Sequence, residues 1–224
     1  MKLFLNGDSN TAGTDVDFED SIPYFLEQGL GATNVTNLAL MGASNDYIYE
    51  TTMEYLRDNA PDFVIIGWSD PGRFQWFDSE TGKTAQINRL NMSEIKVVPE
   101  EYREIEYLIR NLTHPGSEFY SQMGLYWHIQ IFNLHQYLRY RNIPHLFFNA
   151  FELFTGKEFR PSEIRVNWKN QYYNPYTIDG SYVQYCIKNN YKDVIDGHFH
   201  FERAGQQAWA NLLLEHIKEN DLIH

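Results

Sequence analysis

A single cysteine, Cys186, excludes a disulfide framework and leaves no Cys pair for a zinc site. Positive charge is also scarce. The 18 Lys and Arg stand against 30 Asp and Glu, for a formal net charge of −12. Nucleic-acid binding draws on clustered Lys and Arg over phosphates, and no such cluster occurs here, so nucleic acid is not expected as a partner. No run of 18 apolar residues is present, so no membrane span is read. Met1-Lys2-Leu3-Phe4-Leu5 runs into Gly7 too soon for the apolar segment of a signal peptide, which points to the cytoplasm. A Gly-rich phosphate loop and a His-Glu-x-x-His pair are both missing, and the eight histidines are scattered, so neither cofactor nor metal is expected.

Apolar side chains are not lacking: 43% of the 224 residues are hydrophobic and 16% aromatic, enough for one sizeable core. Short apolar runs bounded by turn residues at Leu3–Leu5, Val35–Leu40, Phe63–Ile66 and His145–Phe148 read as buried strands. Helical spacing falls between them. It appears over Phe18–Leu30 and Asp46–Leu56, then twice within Glu100–Arg141 around a break at His114-Pro115-Gly116, and finally over Glu202–Lys218. In the second helix of the Glu100–Arg141 stretch, Leu125, Ile129, Phe132 and Leu138 are expected to form the apolar face. Strands alternating with helices imply a parallel sheet with right-handed crossovers, a three-layer α/β/α sandwich. One domain over 1–224 is expected, with insertions at about 71–99 and 155–185, the second too aromatic to be disordered.

The chemistry-bearing candidate lies directly after the first strand, in Gly7-Asp8-Ser9-Asn10. Active sites of open α/β sheets sit at the carboxyl edge of the strands, and a serine there can use its own backbone N–H toward an oxyanion. Taken alone, the tetrapeptide reads equally as a helix cap or turn.

Three further blocks follow in order: Asn37-Leu38-Ala39-Leu40-Met41-Gly42-Ala43-Ser44-Asn45, then Gly67-Trp68-Ser69-Asp70, then Asp196-Gly197-His198-Phe199-His200 ahead of Gly205 and the last helix. With the serine turn they resemble the SGNH/GDSL hydrolases, at both ends and in the middle of the chain. Gly-Trp-Ser-Asp-Pro with Arg73 looks most like divergent bacteriophage and marine bacterial members, which adds a virion to the expected settings. The resemblance implies a flavodoxin-like SGNH fold and a serine esterase with Ser9 as nucleophile and Gly42 as an oxyanion donor. It also implies a histidine base five residues before a glycine, a spacing that favours His200 over His198.

Two family positions differ. The spacing for the acid falls on Gly197, so Asp196, one residue earlier, is the candidate acid, with a Ser-His dyad as the alternative. Ser69 stands where the family has asparagine, and either its hydroxyl or the Asn45 amide is the candidate side-chain donor to the oxyanion. Asp8, Trp68, Asp70 and Arg73 are candidates for substrate binding, and Arg73 suits a carboxylate. The expected substrate is a small-molecule or carbohydrate ester, an acetyl ester first, because aromatic faces suit sugar rings. The rival reading is a carbohydrate-binding or virion-associated module that keeps the fold without the chemistry. Oligomeric state is left open.

Overall fold

The computed structural model describes residues 1–78, 83–87, 111, 114, 116–151, 153–154 and 166–223. In chain order its elements are β1 (Lys2–Gly7), α1 (Ser9–Ala12), α2 (Ile22–Leu30), β2 (Asn34–Asn37), α3 (Asn45–Asp58), β3 (Phe63–Trp68), β4 (Phe74–Asp78), β5 (Lys83–Ile87), α4 (Glu118–Tyr140), β6 (His145–Asn149), α5 (Tyr182–Lys188) and α6 (Arg203–Glu219). Single 3-10 turns lie at Phe18–Asp20 and Ile178–Gly180.

Four strands form a parallel sheet in the order β2-β1-β3-β6, the flavodoxin-like order, so the expected α/β class holds. Each expected strand is present, but β2, at the edge of the sheet, is half-exposed and not buried as expected. β2 is shorter than expected, but the chain beyond it still tracks β1, with Leu38 N–H donating to Leu5 O and Leu40 N–H to Gly7 O. Past β6 the sheet gains a partial edge, where Tyr172 bridges Phe147 in parallel. β4 and β5 form a separate antiparallel hairpin inside the first expected insertion.

Period-two alternation along buried strands sends neighbouring residues to opposite faces, and helices cover both. On one face Leu3, Leu5, Phe63, Ile65, Leu146 and Phe148 pack with α2 (Ile22, Leu26) and α6 (Trp209, Leu213). On the other, Phe4, Val64, Ile66, Trp68 and Phe147 pack with α3 (Ile48, Leu56) and α4 (Trp127, Ile131, Leu134, Leu138). The buried stripe of α4 corrects the expected one. Leu125 and Ile129 are 39% and 50% exposed, because Trp127, Ile131, Leu134 and Leu138 present the larger contiguous apolar surface to the sheet. The first half of the Glu100–Arg141 stretch lies outside the described residues, apart from Asn111.

Three histidines lie inside the second core. His145 Nδ1–H donates to Ile143 O at 3.0 Å, which leaves its Nε2 to accept from His135 Nδ1–H at 2.9 Å. His128 Nε2 meets the Tyr176 hydroxyl at 2.8 Å. Burial pushes all three well down, His128 and His135 to about 4 and His145 to about 3. Trp168, Tyr172 and Tyr176 from the second expected insertion pack around them.

Candidate active site

β1 ends at the switch point of the sheet, between β2 and β3, where the crossovers leave in opposite directions. Gly7 pairs with Gly67 at the carboxyl end of the two strands. A Cβ on Gly7 would stand 2.3 Å from Thr11 Oγ1 and 2.8 Å from Gly67 O, so only glycine lets the next turn fold back onto the strand ends. That turn is α1, a single helical turn. Asp8 caps it by accepting Asn10 N–H at 3.0 Å, and Gly13 closes it in the left-handed region (φ 73) with its N–H on Ser9 O.

Ser9, the first residue of α1, is 3% exposed. Its Oγ lies 2.9 Å from His200 Nε2, and His200 Nδ1 lies 2.6 Å from Asp15 Oδ2. A carboxylate only accepts, so Nδ1 carries the hydrogen and Nε2 is left to accept from the serine hydroxyl. Asp15 follows α1 directly and adopts φ 67, a left-handed conformation that Asp tolerates better than most side chains. His200 comes from the other end of the chain. Its loop is closed by the Asp193–Phe201 bridge, by Val194 N–H on His200 O at 2.7 Å, and by Glu202 N–H on Lys192 O. Phe199 at φ 60 turns the backbone just before it.

The carboxylate that meets His200 is therefore Asp15 and not Asp196. Asp196 is exposed at the tip of the loop, in a turn made by His198 N–H on Ile195 O and by Gly197 N–H on the Asp193 carboxylate. That turn is built around its own backbone, so a one-residue offset does not carry Asp196 to the histidine. His198 is exposed, its ring centroid 6.4 Å from that of His200, and it is His200 that reaches the serine.

The two side chains expected at an oxyanion are engaged elsewhere. The Asn45 amide faces the Ser69 backbone in a reciprocal pair, donating to Ser69 O at 3.0 Å and accepting Ser69 N–H at 2.8 Å. The Ser69 hydroxyl donates to Asp8 Oδ2 at 3.2 Å. Both residues are fully buried, so they brace the third block against α3 and the serine turn. Gly42 (φ 75) follows Leu40, whose N–H is held on Gly7 O, so this loop stays at the end of β1.

Of the expected substrate contacts, Trp68 is in the second core, edge-on to Phe147, because β3 is covered on both faces. Asp70 builds a turn: its carboxylate accepts Gly72 N–H at 2.7 Å and the Tyr120 hydroxyl at 3.1 Å. Asp8 is fully buried and pairs with Arg73 Nη1 at 3.2 Å. Burial pushes the Asp8 carboxyl above its ordinary range, and the Arg73 charge and the hydrogen bonds from Asn10 and Ser69 oppose this. Asp70 and Arg73 are partly exposed, whereas Asp8 and Trp68 are buried. Among the described residues, no group of three or more His, Cys, Asp or Glu is placed to hold a metal ion, and no helix is long and apolar enough to cross a membrane.

Fold and site together define an α/β protein with a hydrogen-bonded serine, histidine and aspartate at the carboxyl edge of a parallel sheet. Among solved structures the chain is similar to TesA, at 10% identity and a TM-score of 0.47, with 98% of this chain and 97% of that one covered. It is also similar to a member of the lipolytic protein G-D-S-L family from Veillonella parvula DSM 2008, at 12% identity and a TM-score of 0.44, over 98% and 97% of the two chains. No family model matches the sequence, and no curated protein matches it.

Proposed function

We propose that this chain is a serine hydrolase of carboxylic esters, of the SGNH/GDSL type, working through Ser9, His200 and Asp15. The observation that carries the reading is the continuous relay from Ser9 Oγ to His200 Nε2 and from His200 Nδ1 to Asp15, built from residues 191 and 185 positions apart. Such a constellation is recognised by geometry and roles rather than by sequence order.

In the proposed reaction Ser9 Oγ attacks the ester carbonyl as His200 Nε2 takes its proton. Asp15 holds the imidazole tautomer and stabilises the imidazolium. The backbone N–H groups of Ser9 and Gly42 receive the negative charge on the tetrahedral oxygen. His200 returns the proton to the departing alcohol, then activates the water that releases the acyl group from Ser9.

The near-complete burial of Ser9 favours a small acyl group, so an acetyl ester remains the substrate to try first, with a carbohydrate as its alcohol part. The burial of Trp68 removes one of the aromatic faces on which sugar stacking was expected. A fold kept without chemistry rests on two features, the displaced acid and the missing asparagine at position 69; Asp15 beside His200 answers the first and leaves the second. Hydrolysis of p-nitrophenyl acetate tests the reading. Turnover by the wild-type chain and none by Ser9→Ala, at an unchanged melting temperature, is expected; equal turnover by the two contradicts it.

A further inference from the structure

Neither side chain expected to serve the oxyanion is available, since the Asn45 amide and the Ser69 hydroxyl are both engaged within the protein. One strong donor remains on the same loop. Arg73 lies three residues beyond Asp70, and its backbone N–H on Asp70 O at 3.1 Å fixes the turn that presents it. Its Nη1 donates to Asp8 Oδ2, the oxygen that also accepts from Ser69, on the residue immediately before the nucleophile. Its guanidinium carbon sits 4.8 Å over the Phe151 ring. The group is thus held at one edge by a carboxylate and across one face by an aromatic ring, an arrangement that suits a planar guanidinium and not a lysine.

A buried charge pair is costly, and it persists only where the geometry is good or the charge has a use. Asp8 has no exposure, whereas the Arg73 side chain retains 11%. The bond to Asp8 engages one of the five N–H donors of the guanidinium. We infer that Arg73 is the charged side-chain donor to the tetrahedral oxyanion formed on Ser9, in place of the amide that this chain lacks at Ser69. Asp8 then has two roles: it caps the serine turn and sets the direction of the guanidinium. This inference rests on the esterase reading above.

Arg73→Lys and the double variant Arg73→Ala/Asp8→Asn test it on the full chain. The double variant removes the charge that a single Arg73→Ala would leave buried and unpaired, and Asn keeps the capping oxygen. Both variants are expected to melt close to the wild type and to lose about 10²–10³ in kcat on p-nitrophenyl acetate, the usual cost of one oxyanion donor. KM should stay near the wild-type value, and a fluorophosphonate should label Ser9 correspondingly slowly, because the phosphonyl oxygen uses the same donors. Millimolar methylguanidinium should restore part of the rate of the double variant and none of that of Ser9→Ala.

Wild-type kcat in the folded double variant, a loss confined to KM, or a loss that tracks the unfolded fraction overturns the role given to Arg73. If the wild-type chain itself neither hydrolyses the ester nor labels at Ser9, the esterase reading fails and this inference fails with it.

Discussion

Asp15→Asn separates the relay seen in the structure from the one that sequence spacing suggests. Asn is nearly isosteric and tolerates the left-handed backbone at position 15, so the substitution removes the charge without straining the turn. In the transition state His200 becomes an imidazolium beside the carboxylate, with Nδ1 2.6 Å from Oδ2. With charge centres about 4 Å apart and an effective dielectric of about 20, the attraction is about 4 kcal/mol, or a factor of about 10³ in rate. Solvent reduces this, because 31% of the Asp15 side chain is exposed. An amide in place of the carboxylate adds to the loss, since it can donate to Nδ1 and stabilise the wrong tautomer, a change that costs about 10⁴ in a serine triad. The expected fall in kcat is thus about 10²–10⁴ with little change in KM. Asp196→Asn, at the exposed loop tip, should leave kcat unchanged. Steady-state kinetics on p-nitrophenyl acetate with both variants decides the matter. Wild-type kcat in Asp15→Asn, or an equal loss in Asp196→Asn, refutes the assignment.

Two further outcomes follow from groups outside the relay. His128, His135 and His145 are held neutral by burial, with pKa values below the ordinary 6.5, so the unfolded chain takes up protons that the native state refuses. Stability should therefore fall as pH drops from 6.5 toward 4. At pH 5.5 each histidine costs about 1.4 kcal/mol, about 4 kcal/mol for the three, and Asp8, with its raised pKa, acts in the opposite sense. Urea unfolding at pH 7.5 and 5.5 measures the change, and equal stability at the two values contradicts the assignment. Asn45→Ala should lower stability by about 2–4 kcal/mol, because it strands the buried N–H and C=O of Ser69; a thermal melt matching the wild type would show that the brace does not matter.

Much of the architecture is written in local pattern. The four short apolar runs are strands, each bounded by turn residues; β1, β3 and β6 are covered on both faces while β2 is a half-exposed edge, and that same pattern places Ser9 at a strand end. His200 is legible only through the family resemblance, which implies a histidine five residues before a glycine, here Gly205 at the start of the buried side of α6. Asp15 is not legible. Its approach to His200 depends on a one-turn helix, two left-handed residues at Gly13 and Asp15, and a loop from the far end of the chain, none of which has a periodic signal. The only hint is that Asp15 is the first carboxylate after Ser9.

Asn45 and Ser69 illustrate another limit. Their side chains are the right chemical types for an oxyanion hole, but sequence does not show that each already has a partner inside the protein. In α4, apolar residues occur around most of the helix, so spacing alone offers two faces, and packing against the sheet selects Trp127, Ile131, Leu134 and Leu138.

The central claim is that Ser9 is a nucleophile activated by His200, and covalent labelling with a fluorophosphonate tests it most directly. Mass spectrometry of the labelled wild-type chain should find one adduct, on the peptide containing Ser9, absent from Ser9→Ala and formed far more slowly in His200→Ala. A folded wild-type chain that takes no label, or one labelled equally fast without His200, would contradict the account.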